Sequence, residues 1–193
     1  MRHWLFHPLI FYPLAILMAG LLIAASVQPQ KWPRAPEAVA AQTADGALVY
    51  AGPGFDSPAP APQQEMTVTR DFWGRAETLR IAIKPEQGEP AADEQGVRIM
   101  MTAEDAARVE NRPVAVEVTY NASPVNAATG LAVSLQGAGP AVWVSQDIPP
   151  EPNTVRFALP AQAGVNAIGL RALSSDNDQN YGVEITRIRV IPR

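Results

Sequence analysis

From Leu9 to Val27 the chain reads LIFYPLAILMAGLLIAASV, without one charged residue. As a helix rising 1.5 Å per residue, about 19 residues cover roughly 28 Å, close to the ~30 Å of bilayer hydrocarbon. Residues 1–27 are therefore expected to form a transmembrane helix that also serves as signal anchor. Trp4, Phe6, Tyr12 and Trp32 fall near its two ends, where amphipathic rings prefer the headgroup layer. Lys31 and Arg34 follow, with no acid before Glu37. The alternative is a secretory signal, with Arg2 at its start and Ala24 and Ser26 before the cut, which would leave a secreted protein. Positive charge is nearly balanced across the span: Arg2 and the α-amine on one side, Lys31 and Arg34 on the other. The expectation is a single pass through a bacterial inner membrane, with the C-terminal domain in the periplasm. His3 and His7, the only histidines, read as interfacial residues.

The remaining chain is too polar to follow the span into lipid. Residues 28–65 carry Pro29, Pro33, Pro36, Pro53, Pro58, Pro60 and Pro62 among many Ala and Gln. That composition predicts a flexible, partly polyproline linker, with PAPAPQQ from Pro58 to Gln64 as its clearest spacer. Within it, Leu48–Ala51 is apolar enough to dock as an extra edge strand.

Residues 66–193 have the length of one domain. They alternate apolar and polar residues in successive runs: Leu79 to Ile83, Val97 to Met101, Val114 to Tyr120, Leu131 to Leu135, 141–148, Val155 to Leu159, Ile168 to Leu170, and Val183 to Ile191. About eight antiparallel strands at hairpin spacing predict a mainly β sandwich. One short helix is expected where Thr102 can cap AEDAARVE. The last strand needs a bulge near Thr186–Arg187. Val183 and Ile185 lie out of phase with Ile188 and Val190, and one extra residue restores a common face.

With no cysteine, disulfides and thiolate metal sites are excluded. The formal charge is −4 and no arginine cluster forms a patch, which argues against nucleic acid. No histidine lies beyond residue 7, and neither a Gly-x-Ser-x-Gly nor a phosphate-cradling loop is present. The chain reads as a binding or structural protein rather than an enzyme, with a carboxylate-pair glycosidase as the residual catalytic option.

The segment GVRIMMTAEDAARVENRPVAVEVTYNA, followed by TVRFALP, NAIGLRA and GVEITRIRVIP, resembles galactose-binding-like jelly rolls, among them carbohydrate-binding modules. The resemblance implies a two-sheet jelly roll. Its ligand, where there is one, would lie on a concave sheet face or in the loops at one end. Many members bind no sugar.

Flat aromatic faces are what pyranose C–H groups pack on. The ligand-binding candidates are Trp143, Trp73 and Tyr181. If Val142 and Val144 are core, Trp143 projects from the other face of its strand. The competing assignment buries Trp143 and exposes the valines. Trp73, in RDFWGR, is either a platform or an inter-sheet plug. Asp176, Asp178 and Asn180 place oxygens at alternating positions, which suits a structural calcium. Gly182 comes one residue late for that turn and no bidentate Glu follows, so a plain polar hairpin loop is the alternative. The partners expected are the lipid bilayer through the N-terminal helix and an envelope glycan or envelope protein. A structural or assembly subunit with no small ligand is the second reading.

Overall fold

The computed structural model describes residues 8–26, 34–85, 94–175, 179 and 181–193. It divides into two compact units, Met1–Pro33 and Arg34–Arg193.

The first unit contains one helix, α1 (Pro8–Ser26), with Pro13 inside it and no acidic or basic residue at either end. Its side chains are described from residue 8 to 23, and all of them are exposed. That stretch covers about 24 Å, so among the described residues no helix is long and apolar enough to cross a membrane.

The second unit is an antiparallel sandwich of two sheets. Its strands are β1 (Gln42–Ala44), β2 (Ala47–Ala51), β3 (Gln64–Arg70), β4 (Ala76–Ile83), β5 (Val97–Met100), β6 (Val114–Ala122), β7 (Gly130–Gln136), β8 (Val144–Asp147), β9 (Asn153–Leu159), β10 (Ala167–Leu173) and β11 (Gly182–Pro192). β4 to β11 are the eight runs read from alternation. The expected helix is α2 (Ala103–Val109), whose Thr102 hydroxyl accepts from the Asp105 N–H at 3.2 Å. β5, β10, β7 and β8 form a four-stranded sheet in that order, and the other seven strands form the larger sheet. The core lies between them. Leu79, Ile81, Val116, Val118 and Phe157 of the larger sheet meet Val97, Ile99, Leu131, Val133, Ile168 and Leu170 of the smaller.

β11 is the axis of the larger sheet. One edge pairs with β6 along its whole length. The other edge pairs first with β4, from Gly182 to Ile185, and then with β2, from Arg187 to Val190. The pairing with β6 slips between Ile185 and Arg187, leaving Thr186 as the extra residue. The Thr186 hydroxyl donates to the Thr119 carbonyl at 3.2 Å. Val183, Ile185, Ile188 and Val190 are all buried as a result, and Arg187 is left exposed. The expected bulge is thus present, at the point where β11 changes partner.

The expected linker 28–65 is overturned over its described residues, and with it the boundary at Met66, because the folded unit starts at Arg34. β2 packs between β1 and β11, with Leu48 and Tyr50 fully buried. It is therefore an interior strand and not an edge. Asp105, itself buried, accepts the Ala41 N–H at 2.8 Å and the Tyr50 hydroxyl at 3.4 Å, tying this segment to α2. Burial, then the charge of Asp105 and the hydrogen bond to it, push the Tyr50 phenol well above its usual value.

The proline spacing explains why PAPAP is ordered. The N–H groups of an extended chain alternate in direction, and prolines at 58, 60 and 62 remove only those on one side. Ala59 keeps its pairing with the edge strand β5: its N–H donates to Arg98 at 2.8 Å and its carbonyl accepts from Arg98 at 2.9 Å. A segment that looks like a spacer covers a sheet edge.

Candidate functional site

Two regions depart from the ordinary distribution of polar and apolar surface. The first is the β3–β4 hairpin. Beyond Leu79, β4 pairs with β3 alone, so the end of the hairpin leaves the sheet where β2 takes over. Its tip is the turn Asp71–Gly74, closed by Gly74 N–H to Asp71 carbonyl at 3.0 Å. The Asp71 carboxylate accepts from the N–H of Trp73 at 2.9 Å and of Arg75 at 2.8 Å. Gly74 has φ of +79°, a conformation that costs glycine least. The turn is fixed by its own polar groups and displays what lies between them. Phe72 is 82% exposed and Trp73 76%, their rings edge to face with centroids 5.2 Å apart. Trp73 is therefore no inter-sheet plug.

Behind the tip sits an ionic cluster. The Asp56 carboxylate is paired with both Arg34 and Arg70. Arg70 also donates to the Asp56 carbonyl at 2.6 Å and to the Gly74 carbonyl at 3.3 Å. Partial burial alone would raise the Asp56 carboxyl. Hydrogen bonds from Arg70 and Arg34, with their positive charges, outweigh it and hold the group below its usual value.

The second region is the outer face of the four-stranded sheet. Alternation puts Arg98 of β5, Gly169 and Arg171 of β10, and Ser134 and Gln136 of β7 on this face. Arg98 and Ser134 flank Gly169 in one row. An outer face of this kind is normally wet, yet Ser134, Gln136 and Arg171 are all buried. The Gln136 amide donates to the Gln95 carbonyl and, at 3.3 Å, to the Ser134 hydroxyl. It lies across Gly169, where a Cβ would stand 2.6 Å from Ser134 Oγ.

Trp143 belongs here. Val144 packs on the core but Val142 is 46% exposed, so the phase condition holds only in part: Trp143 lies on the outer face, half-buried and not an open platform. The Arg171 guanidinium carbon sits 3.8 Å from the Trp143 ring centroid, a cation–π contact. The far edge of the indole rests on Gly96, where a Cβ would come within 2.7 Å of it.

Around residues 94–98, four buried atoms have no hydrogen-bond partner among the described residues: Glu94 Oε2, Arg98 Nε, Trp143 Nε1 and Gln63 Oε1. Their residues are linked through the Gly96 segment. Glu94 and Arg98 flank the Gly96 on which Trp143 rests, and the Gln63 N–H donates to Glu94 at 3.3 Å. Leaving such an atom unpaired costs about 1–3 kcal/mol.

The structure does not bring the three aromatic candidates together. The Tyr181 carbonyl accepts from Ile83 N–H at the end of β4 opposite the hairpin tip, and its ring packs partly on the core. Asp176, Asp178 and Asn180 lie outside the described residues. Gly182 is held in β11, paired with Ala82, where a Cβ would meet the Ala82 side chain at 3.0 Å. Strand packing accounts for that glycine. Among the described residues no three His, Cys, Asp or Glu side chains gather to hold a metal.

Sequence reasoning missed Gln63, Glu94, Arg98, Gln136 and Arg171. The alternation does place Arg98 and Arg171 opposite core residues. A charge there reads as solvated surface, and nothing local in the sequence shows that it is covered.

No family model matches the chain, and no curated protein matches it. Solved structures do resemble it. BiXyn10A CBM1 in its apo form is 12% identical with a TM-score of 0.46, over 78% of this chain and 99% of that one. The N-terminal CBM22-1–CBM22-2 tandem domain of Paenibacillus barcinonensis Xyn10C is 12% identical with a TM-score of 0.48, over 79% of this chain and 47% of that one. An exo-beta-agarase is 11% identical with a TM-score of 0.43, over 79% of this chain and 24% of that one. At these identities and scores the likeness carries nothing about ligand or activity. The two-sheet sandwich itself agrees with the fold that the jelly-roll resemblance implies.

Proposed function

We propose that this is a single-pass envelope protein, held in a bacterial inner membrane by α1, whose β-sandwich lies in the periplasm and binds a glycan without catalysis. The glycan site is the outer face of the four-stranded sheet around Trp143. The observation that carries this reading is a set of buried atoms without a partner among the described residues: two N–H donors, Arg98 Nε and Trp143 Nε1, and two acceptors, Glu94 Oε2 and Gln63 Oε1. A polyol offers hydroxyls that both donate and accept, and it satisfies such a mixed set better than an anion or a cation does. The indole adds the apolar face that a pyranose ring needs. The anchor reading rests on the sequence, on the uncharged apolar run from Leu9 to Val27 with aromatic residues near its ends.

The test is a glycan array probed with the full chain in nanodiscs, followed by titration of any hit. Trp143→Ala and Arg98→Ala are expected to abolish binding, while Trp73→Ala leaves it unchanged. Undiminished binding by Trp143→Ala refutes the site. No binding to any envelope glycan favours the assembly-subunit reading.

A further inference from the structure

The sheet ends at β1, β5, β8 and β9 are each short or covered. Ala59 exchanges hydrogen bonds with Arg98 of β5, and the Val39 N–H donates to the Met100 carbonyl at 3.2 Å. β8 and β9 are bridged by the Gln146 side-chain amide, which donates to the Arg156 carbonyl at 2.9 Å. β1 has only three residues, a poor template for another strand. β3 differs. It has seven residues and, among the described residues, pairs with β4 alone.

One bond sets the direction of its backbone groups. The Lys84 N–H donates to the Gln63 carbonyl at 3.1 Å, so the Gln63 backbone faces β4. That direction alternates along a strand. Glu65 and Thr67 therefore also turn their N–H and C=O to β4, and Met66 and Val68 turn theirs away from the sheet. The side chains alternate as well. Met66 and Val68 are half-buried and pack on the core, whereas Glu65, Thr67 and Thr69 are exposed on the outer face. The usual edge defences are missing. No proline and no inward charge lies between Gln64 and Thr69, and the bulge at Thr69–Arg70 comes only after Val68.

We propose that this edge takes the β3 of a second copy of the chain, antiparallel about a two-fold axis through Thr67. The inference rests on neither the glycan reading nor the anchor. The run QEMTVTR is self-complementary in this register. Met66 stands opposite Val68 of the second copy, and Val68 opposite its Met66, so the outward backbone groups of both residues are satisfied on both chains. The half-buried side chains of the two copies then share one face and extend both cores. On the outer face Thr67 meets its own counterpart and Glu65 meets Thr69, so no like charges oppose each other. Registers shifted toward Gln64 need a backbone already bridged to Ala61, or set Glu65 against itself. Registers shifted toward Arg70 run into the bulge.

The chain has no cysteine, so single cysteines report the register in the full chain, purified in non-ionic detergent. Opposed residues of a non-hydrogen-bonded pair have Cα atoms about 4.5 Å apart, within the span of about 4.4–6.8 Å that a disulfide bridges. Thr67→Cys is expected to form a disulfide dimer under mild oxidation. Positions 65 and 69 each lie about 13 Å from their own counterparts. Glu65→Cys and Thr69→Cys are therefore expected to stay uncrosslinked alone and to crosslink when mixed. Val125→Cys, at a residue 71% exposed, measures random collision. By light scattering the unmodified chain is expected at twice its monomer mass. Thr67→Lys sets two ammonium groups face to face at an exposed position and is expected at the monomer mass, with an unchanged melting curve. A monomeric wild type with no crosslink at 67 beyond the rate at 125 overturns the proposal. A dimer that Thr67→Lys leaves intact assigns association to another surface and overturns it as well. Crosslinking at 65 or 69 alone as fast as at 67 does the same. A monomeric chain that crosslinks a different protein through position 67 overturns the second copy as occupant. The cysteine series decides independently of whether Thr67→Lys folds.

Discussion

The hairpin tip and the outer face of the four-stranded sheet invert each other. At the tip, apolar rings are outside and the polar groups beneath them are fully engaged: Asp71 with the turn, Asp56 with two arginines, Arg70 with three oxygens. On the sheet face and in the segments beside it, polar groups are inside and four of their atoms have no partner among the described residues. An exposed large apolar patch and a buried unpaired polar group are the two surface anomalies that carry information. The two differ in chemistry: the tip exposes apolar rings to water, and the other region holds polar atoms that have no partner among the described residues.

The comparison breaks most severely if the N-terminal segment is removed. A fragment of residues 66–193 loses Leu48, Tyr50 and Phe55 from the core, each worth about 1.5–3 kcal/mol of burial, as well as Arg34 and Asp56 behind the tip. Set against a total stability of about 5–15 kcal/mol, this fragment is expected to show no cooperative thermal transition, whereas residues 34–193 unfold in one step. A cooperative transition in the shorter fragment would mean that the sheet face is independent of the tip.

A smaller effect separates the tip's support from the sheet face. Asp56→Asn leaves Arg70, a nearly buried guanidinium, with carbonyl partners alone, and should cost about 1–3 kcal/mol in chemical denaturation. The Asp56 carboxyl is depressed in the folded state, so the unfolded chain binds more protons as pH falls. Its contribution is complete above the ordinary carboxylate range, near pH 4, and disappears as pH drops through the lower folded value. Wild type should therefore lose more Tm than Asp56→Asn between about pH 5 and pH 2. Parallel curves would remove Asp56 as the tip's electrostatic support.

The smallest contrast is between the two tryptophans. Trp143→Ala uncovers Arg171 and Gly96 and is expected to cost about 1–3 kcal/mol, whereas Trp73→Ala changes stability by less than about 0.5 kcal/mol. Equal losses would mean that Trp73 is structural after all.

The sandwich was legible because half-buried strands must alternate, and β4 to β11 do. The bulge at Thr186 was legible for the same reason, since only one extra residue brings Ile188 into phase with Ile185. The N-terminal strands were not legible from composition, because proline and alanine content does not distinguish a disordered spacer from a segment paired along a sheet edge. A local signal was present. Asp45 and Gly46 both have positive φ, 51° and 75°, as a tight two-residue hairpin requires, and Asp-Gly next to the apolar ALVYA run is its ordinary sequence mark. The candidate sites were legible only as residue types. Whether Trp73 stands out or Trp143 lies over an arginine depends on contacts between segments far apart in the chain, to which periodicity is blind.

The pairing of β2 with β11 also sets the order in which the domain can be completed. Tyr50 and Ile188 are register partners separated by roughly 140 residues, a high contact order that slows folding. A chain made from its N-terminus presents β2 long before its partner β11. Until β11 has been made, the ALVYA run has no neighbour on its inner edge, and the nascent domain carries an open, sticky strand. Completion of this fold therefore waits on β11. A truncated product lacking β11 is expected to be a substrate for chaperones and proteases rather than a shorter version of the same protein.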